Sequence, residues 1–270
     1  MPDRNQAEIS KALDVIIQGK SRETVAEMVL LGVLAGVYIG FGAFAYTTVT
    51  SFAGLPEALS RFLGGTAFCV GLILVVIPGS ELFTGNILMA AGLVNRKVAL
   101  QRVVRNWFCV YLGNFIGALL LAVAIYGTGL MGSAAEPSVV GLRAADIAST
   151  KIALPIGEAL LRGVLCNMLV CLAVILTVAA RTVTGKILGI YFPIMVFVVS
   201  GFEHSIANMY LLPAGLLAGG TLLGDFGRMF HNLIPVTIGN IIGGLLVILL
   251  HPARIRRIIR PPTPDGRKGE

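Results

Sequence analysis

Charge is what this chain has least of. Only 13% of its 270 residues are Asp, Glu, Lys or Arg, against about 25% in a soluble domain, and with a mean hydropathy of +0.87 this excludes an ordinary soluble globular protein. No Gly-x4-Gly-Lys-[Ser/Thr] phosphate loop is present, so ATP-driven pumping has no visible engine. His-Glu-x-x-His and Cys-x-x-Cys are also missing. The four cysteines, Cys69, Cys109, Cys166 and Cys171, lie inside apolar stretches without metal-type spacing and read as small buried hydrophobes. No metal or cofactor is therefore expected. Ser205 adjoins His204, but neighbours on a helix do not face each other. With Gly-x-Ser-x-Gly absent as well, the chain does not read as an enzyme.

Apolar residues, at 56%, supply what charge does not. A hydrocarbon core about 30 Å thick takes about 20 helical residues to cross. Stretches long enough fall near 25–50, 62–92, 106–128, 155–180, 187–218 and 233–251. Six crossings follow, and the second and fifth, too long for one straight helix and polar and Gly-rich at the centre, are expected to be broken. Residues 1–24 carry Ile9, Ala12, Leu13, Ile16 and Ile17 on one helical face and read as an amphipathic interfacial segment. Residues 25–251 form the channel-like span domain, and 252–270 a basic tail. Sixteen Lys and Arg residues fall on the side of both termini and four on the other, which places both termini in the cytoplasm. The net charge of +7 is then mostly a topology signal. RIRRIIR after the last span reads as an anchor on anionic lipid rather than a nucleic-acid site.

Polar residues inside the spans are informative because they are costly there. GSELFTGN at 79–86 and GFEHSIAN at 201–208 share G-x-E-x4-N, and GNFIGALL at 113–120 pairs with GNIIGGLL at 239–246. A weaker echo links GVL at 32–34 and 163–165. Two units of three spans each, the second necessarily upside down, make an inverted repeat whose broken spans meet around a pore. Glu81 and Glu203 read as fasteners of backbone freed at the breaks. His204 has Leu82 as its counterpart, so the repeat does not account for it, and a functional role is expected. Glycines at small-xxx-small spacing (32, 36, 40; 113, 117; 239, 243) read as helix packing. Glu158 and Arg162 are spaced for a salt bridge facing the interior or a subunit boundary, and Trp107 and Tyr111 read as interfacial anchors. The Asn-Pro-Ala signature of water and glycerol channels, also inverted three-span repeats, is absent.

GSELFTGN at 79–86, CNMLVCLAV at 166–174, SGFEHSIANMY at 200–210 and NLIPVTIGNIIGG at 232–244, in this order, resemble the signatures of the formate/nitrite transporter family, which includes hydrosulfide channels. The resemblance covers about residues 25 to 250. It implies an all-α, aquaporin-like membrane fold of six transmembrane helices in two inverted three-helix repeats. It also implies a homopentamer in which each protomer holds its own pore, in a prokaryotic cytoplasmic membrane. The permeants it implies are small monovalent anions or their conjugate acids: formate, nitrite, hydrosulfide. By the same resemblance His204 is the central pore histidine, with Thr84 facing it, Asn167 near it, Glu203 beside it and Lys151 at the outer vestibule. Phe68, Leu72 and Phe197 would form an outer constriction, and Leu82, Phe83 and Val170 an inner one. Arg162 departs from the apolar residue of formate channels.

The function expected is a channel for small monovalent anions, formate first, with hydrosulfide or nitrite as alternatives inside the family. A non-conducting membrane anion sensor is the alternative from another class. In the channel reading a dry slit stops a bare anion, the falling dielectric favours its protonation, and the neutral acid passes while His204, Thr84 and Asn167 donate hydrogen bonds or a proton.

Overall fold

A computed structural model describes residues 3–52, 54–251 and 255; the basic tail read at 252–270 lies, but for residue 255, outside them. Elements run α1 Gln6–Lys20, α2 Val25–Thr50, α3 Glu57–Val76, α4 Phe83–Asn86, a 3-10 turn Ile87–Met89, α5 Ala90–Val94, α6 Leu100–Gly127 and α7 Val139–Ile152. They continue with α8 Ile156–Ala179, α9 Val183–Val199, α10 Ser205–Ala218, α11 Leu222–Asp225, a 3-10 turn Phe226–Arg228 and α12 Met229–Leu249. Five stretches among the described residues are single helices long and apolar enough to span: α2, α3, α6, α8 and Phe226–Leu249. The sixth crossing is made in two pieces, α9 and α10, neither long enough alone.

Both breaks fall where G-x-E-x4-N predicts. After α3, Gly79 adopts φ 89°, and after α9, Gly201 adopts φ 71°, a left-handed conformation that glycine accepts without steric cost. Ser80 N–H closes onto the Val75 carbonyl at 2.9 Å, and Phe202 N–H onto the Phe197 carbonyl at 3.1 Å. Glu81 N–H then donates to the Leu31 carbonyl and Glu203 N–H to the Arg162 carbonyl, each at 3.3 Å. The same chain path is laid down twice, once in each orientation.

Glycine lets the spans approach closely. A Cβ on Gly117 would lie 2.0 Å from the Val33 carbonyl oxygen, and one on Gly243 2.1 Å from that of Val164, so α6 meets α2 backbone to backbone as α12 meets α8. α10 is buried along almost its whole length, as expected for a helix that is apolar all round. It packs on α6 and α7 at the centre of the protomer.

The repeat extends further than three spans. α7 carries Lys151 in its last turn, paired with Glu203, and α1 ends in Lys20, paired with Glu81. Each unit is therefore a short helix, a span, a broken span and a span. This revises the reading of α1 as an interfacial segment. Ile17 is buried against Met89, Val98 and Val103, Asp14 pairs with Lys97 and Glu8 with Arg181, and Arg4 Nη1 donates to the Val178 carbonyl at 2.6 Å. α1 is docked on the protein, with Val15 and Ile16 left exposed.

Candidate functional site

Two buried asparagines bracket the breaks. Asn240 Nδ2 donates to the carbonyls of Gly163 (2.8 Å) and Glu203 (3.0 Å), and its Oδ1 accepts from Ser205 N–H (2.9 Å). Asn114 repeats this on the other unit: Nδ2 donates to the carbonyls of Gly32 (2.8 Å) and Glu81 (2.9 Å), and Oδ1 accepts from Phe83 N–H (3.0 Å). Unwound backbone at this depth must find partners inside the protein, and these two side chains provide them. The breaks thereby start α4 and α10 at fixed points.

The glutamates are fasteners, though not through backbone amides as the sequence reading had it. Glu203 is buried and takes Lys151 Nζ on both oxygens (2.8 and 2.9 Å), Asn208 Nδ2 (2.7 Å) and, at 3.4 Å, Asn232 Nδ2. Glu81 takes Lys20 Nζ and Asn86 Nδ2 (2.6 Å). Asn86 also donates to Asn106 and Asn208 to Asn232, at 2.8 and 2.7 Å. A buried carboxylate needs such company. Lys151 sits in the last turn of α7 with its ammonium on Glu203, which offsets its charge.

Between the two brackets stands His204, buried at the N-cap of α10. Its Nδ1 accepts from Ala207 N–H at 3.1 Å. A backbone N–H can only donate, so Nδ1 carries no proton, and in the neutral ring Nε2 does. Nε2 lies 2.9 Å from Thr84 Oγ1 and donates to it. Ser205 Oγ, in contrast, has no hydrogen-bond partner, so the adjacent Ser and His make no nucleophilic pair. Asn167 is completely buried, and its Nδ2 donates to the carbonyls of Thr84 (3.2 Å) and Asn240 (2.7 Å).

Around the histidine closes an apolar collar. Phe68, Leu72, Leu82, Val170, Ile39, Ile194 and Phe197 line, with His204, one cavity of about 10 Å³, about the minimum for a water molecule. Phe68 and Phe197 meet edge to face at 5.5 Å, and Phe197 stacks on His204 at 5.9 Å and 25°. The two expected constrictions thus share one cavity. Phe83 does not line it: its ring packs edge to face on Tyr111 (4.9 Å) and Trp107 (6.4 Å). Nor are Trp107 and Tyr111 interfacial anchors. Trp107 Nε1 donates to the Asn86 carbonyl, and Tyr111 OH pairs with Thr237 Oγ1, each at 2.9 Å. Arg162 pairs with Glu158 at 2.8 Å as the spacing predicts, but on the exposed flank of the protomer rather than in its interior.

On the α1 side of the collar, beyond Val170 along α8, opens a chamber of about 590 Å³ with Leu88, Ile175 and Val247 in its wall and Asp14, Arg96 and Lys97 at its rim. Sequence reasoning missed Lys20, Asn114, Asn240 and the Asn106 and Asn232 supports. The signal for Lys20 was available: it precedes Lys151 by the same interval that separates GVL at 32–34 from GVL at 163–165.

Comparison with known proteins agrees with this architecture. The profile of the family described as formate/nitrite transporter matches residues 7–253. The "Probable formate transporter" of Methanothermobacter thermautotrophicus is 39% identical over 262 residues, covering 91% of this chain and 94% of that one. "Formate channel FocA" of Haemophilus influenzae is 38% identical over 235 residues, covering 80% and 82%. Among solved structures, a "Pentameric formate channel with formate bound" superposes with a TM-score of 0.71 at 36% identity, covering 83% of this chain and 94% of that one.

Proposed function

The chain belongs to the formate/nitrite transporter family, and from that premise we propose that it is a multi-pass membrane channel that carries formate across the bilayer as its conjugate acid. The family is one of transporters, and no chemical conversion of the permeant is part of this reading. The observation that carries it is the contact of His204 Nε2 with Thr84 Oγ1 inside an apolar collar, a single polar station in an otherwise dry path.

A bare anion cannot pay the cost of entering that collar. Leaving water for an apolar slit of this size is prohibitive for an isolated charge, and the same low dielectric shifts a weak acid toward its neutral form. Lys151 draws the anion to the outer approach, and the N-terminal end of α10, at His204 in the collar, adds a positive dipole end deeper in the path. The proton comes from vestibule water rather than from His204. To accept a second proton the ring would have to release Ala207 N–H from Nδ1, undoing the N-cap that holds it. His204 serves as a neutral donor to Thr84, which orients the hydroxyl toward the permeant.

In the same proposal nitrite and hydrosulfide, also anions of weak acids, follow the formate route, and five copies assemble as in the formate-bound relative. The membrane is the prokaryotic cytoplasmic one. Residues 1–24 and the tail 252–270 face the cytoplasm, flanking a channel domain at 25–251, and α1 forms part of the wall of the inner chamber.

The test is flux into proteoliposomes of formate, nitrite, hydrosulfide, acetate and chloride at acidic and neutral pH. Formate flux that rises with acidification, with chloride excluded, is the expected result. Chloride passing as readily as formate, or formate flux no higher than in protein-free vesicles, would overturn the proposal. A His204→Asn variant separates the proton sources: proton coupling persists if vestibule water supplies the proton and disappears if the ring does.

A further inference from the structure

Arg96 departs from the repeat at a turn that the two units otherwise share bond for bond. After α10 the chain turns with Gly220 at φ 70°, its N–H closing onto the Leu217 carbonyl (3.1 Å) and that of Thr221 onto the Leu216 carbonyl (2.9 Å). After α5 the same turn places Arg96 at φ 55°, its N–H on the Leu93 carbonyl (3.0 Å) and that of Lys97 on the Gly92 carbonyl (2.8 Å). This left-handed conformation suits glycine and is strained for a residue with a Cβ. Among the described residues Arg96 is the one non-glycine that adopts it. Strain kept where glycine would relieve it points to a use for the side chain. That side chain lines the chamber of about 590 Å³ on the α1 side. Lys97, at the same rim, is offset by Asp14, whereas the Arg96 guanidinium has no hydrogen-bond or ion-pair partner among the described residues. The walls behind it, at Leu88, Val94, Ile175 and Val247, are apolar.

Resting on the formate-channel reading, we propose that this chamber binds single-chain organic monoacids whose apolar body is several carbons long, and that an acid bound there obstructs formate. Its carboxylate pairs with the Arg96 guanidinium, a planar fork matched to two carboxylate oxygens. Its chain lies against Leu88, Ile175 and Val247, gaining what apolar burial gives. The volume supports this size of ligand: it falls in the range of pockets that hold drug-sized molecules, far more than a one-carbon acid fills. The collar beside it, with a cavity of about 10 Å³, is too small to pass such a chain. A longer acid therefore enters from the α1 side and stops there. The second unit has glycine at the matching turn, so the site belongs to one side of the protein only.

The chain's one tryptophan reports on the site. Trp107 packs against the cluster that contains Leu88, Val247 and Ile248, all residues of the chamber lining. In the purified, detergent-solubilised assembly, ω-bromooctanoate, whose heavy atom quenches indole fluorescence on close approach, should quench Trp107 saturably. Octanoate should relieve the quenching, and octanol and phosphatidylglycerol should not. Arg96→Gly adopts the residue of the other turn and removes the charge: its thermal transition should be no lower than that of the wild type, while octanoate affinity falls about tenfold, the scale of a hydrogen bond to a charged group. In proteoliposomes octanoate should slow formate flux, and Arg96→Gly should need about tenfold more of it. Absence of saturable quenching overturns the proposal, as does relief by octanol equal to that by octanoate, relief by phosphatidylglycerol instead, or an Arg96→Gly protein that binds octanoate like the wild type. If the variant fails to assemble, octanoate against octanol on the wild type decides alone. Quenching needs no flux, so the two readings separate: wild-type protein that binds octanoate yet carries formate equally with and without it overturns the obstruction, and one that carries no formate at all overturns the channel reading.

Discussion

Replacing Asn240 by Leu, nearly the same volume without the amide, tests whether the breaks are held by the asparagine brackets. Three hydrogen bonds disappear: from Ser205 N–H, and to the carbonyls of Gly163 and Glu203. Gly163 lies within α8, so its carbonyl still serves the helical ladder and loses least. Ser205 N–H and the Glu203 carbonyl are left without partners at the break. Leaving a buried group unsatisfied costs about 1–3 kcal/mol, whereas side-chain hydrogen bonds measured inside membrane proteins average about 0.6 kcal/mol. Two orphaned groups and one weakened one therefore give about 2–4 kcal/mol. For domains of this size each kcal/mol is worth about 2–4 °C, so thermal unfolding of the purified assembly should fall by at least about 4 °C. Asn114→Leu should cost the same, because it removes the equivalent three bonds to Phe83, Gly32 and Glu81. Ile242→Leu, at a partly exposed position on α12, serves as the control and should leave the transition unmoved. Unchanged stability in Asn240→Leu would refute the bracket, and a loss in one variant without the other would refute its equivalence in the two units.

Three further outcomes follow from the site. Thr84→Val should cut formate flux about tenfold, the scale of one hydrogen bond, with the thermal transition nearly unmoved and flux restored in Thr84→Ser; full flux in the valine variant would remove Thr84 from the path. Lys151→Met strands the buried Glu203 carboxylate and should destabilise by about 3–5 kcal/mol, and adding Glu203→Gln should recover much of it, so a double variant no better than the single one argues against the pair. Glu23, at the joint between α1 and α2, is pushed up to about 7 by burial and by Glu81, with Lys20 pulling it down and Glu27 adding to the rise. A carboxyl whose folded value lies above its unfolded one contributes most in acid, and that contribution is lost as pH rises from the ordinary carboxylate range through about 7. Hydrogen exchange at residues 21–24, corrected for intrinsic rate, should show more protection in acid and no pH dependence in Glu23→Gln. Equal protection at both pH values in the wild type would contradict the assignment.

The six crossings and their two breaks were legible because each rests on local composition: apolar length sets a span, and a Gly followed by Glu and Asn inside one marks where helix gives way. His204 stood out as the one titratable residue at a break that the repeat does not duplicate. The brackets were not legible. Asn114 and Asn240 sit among glycines whose spacing already has a packing explanation, and nothing local says that an amide reaches another helix. Trp107 and Tyr111 were misread for a related reason. Their position near the start of α6 fits an interfacial belt, but α6 begins at Leu100, six residues before the apolar stretch does, which draws both rings into the protein beside Phe83. Phe83 was set in the constriction by the family resemblance, yet the first turn of α4 sends successive side chains in different directions. α7 was overlooked because it is too polar and short to register as a span; its ion pair to Glu203, matching that of Lys20 to Glu81, reveals it as the mate of α1.

A protomer assembled from one chain path used in both orientations meets each of its ends with the same bracketed break, held by Asn114 on one side and Asn240 on the other. In the channel reading such a device needs no stroke and would store nothing between passages. It lowers the barrier for outward and inward crossings in equal proportion, and the sign of net movement is set by concentrations and acidity on the two sides. In the channel proposed above, an acid would leave a cell while it is produced and return by the same path when the gradient turns.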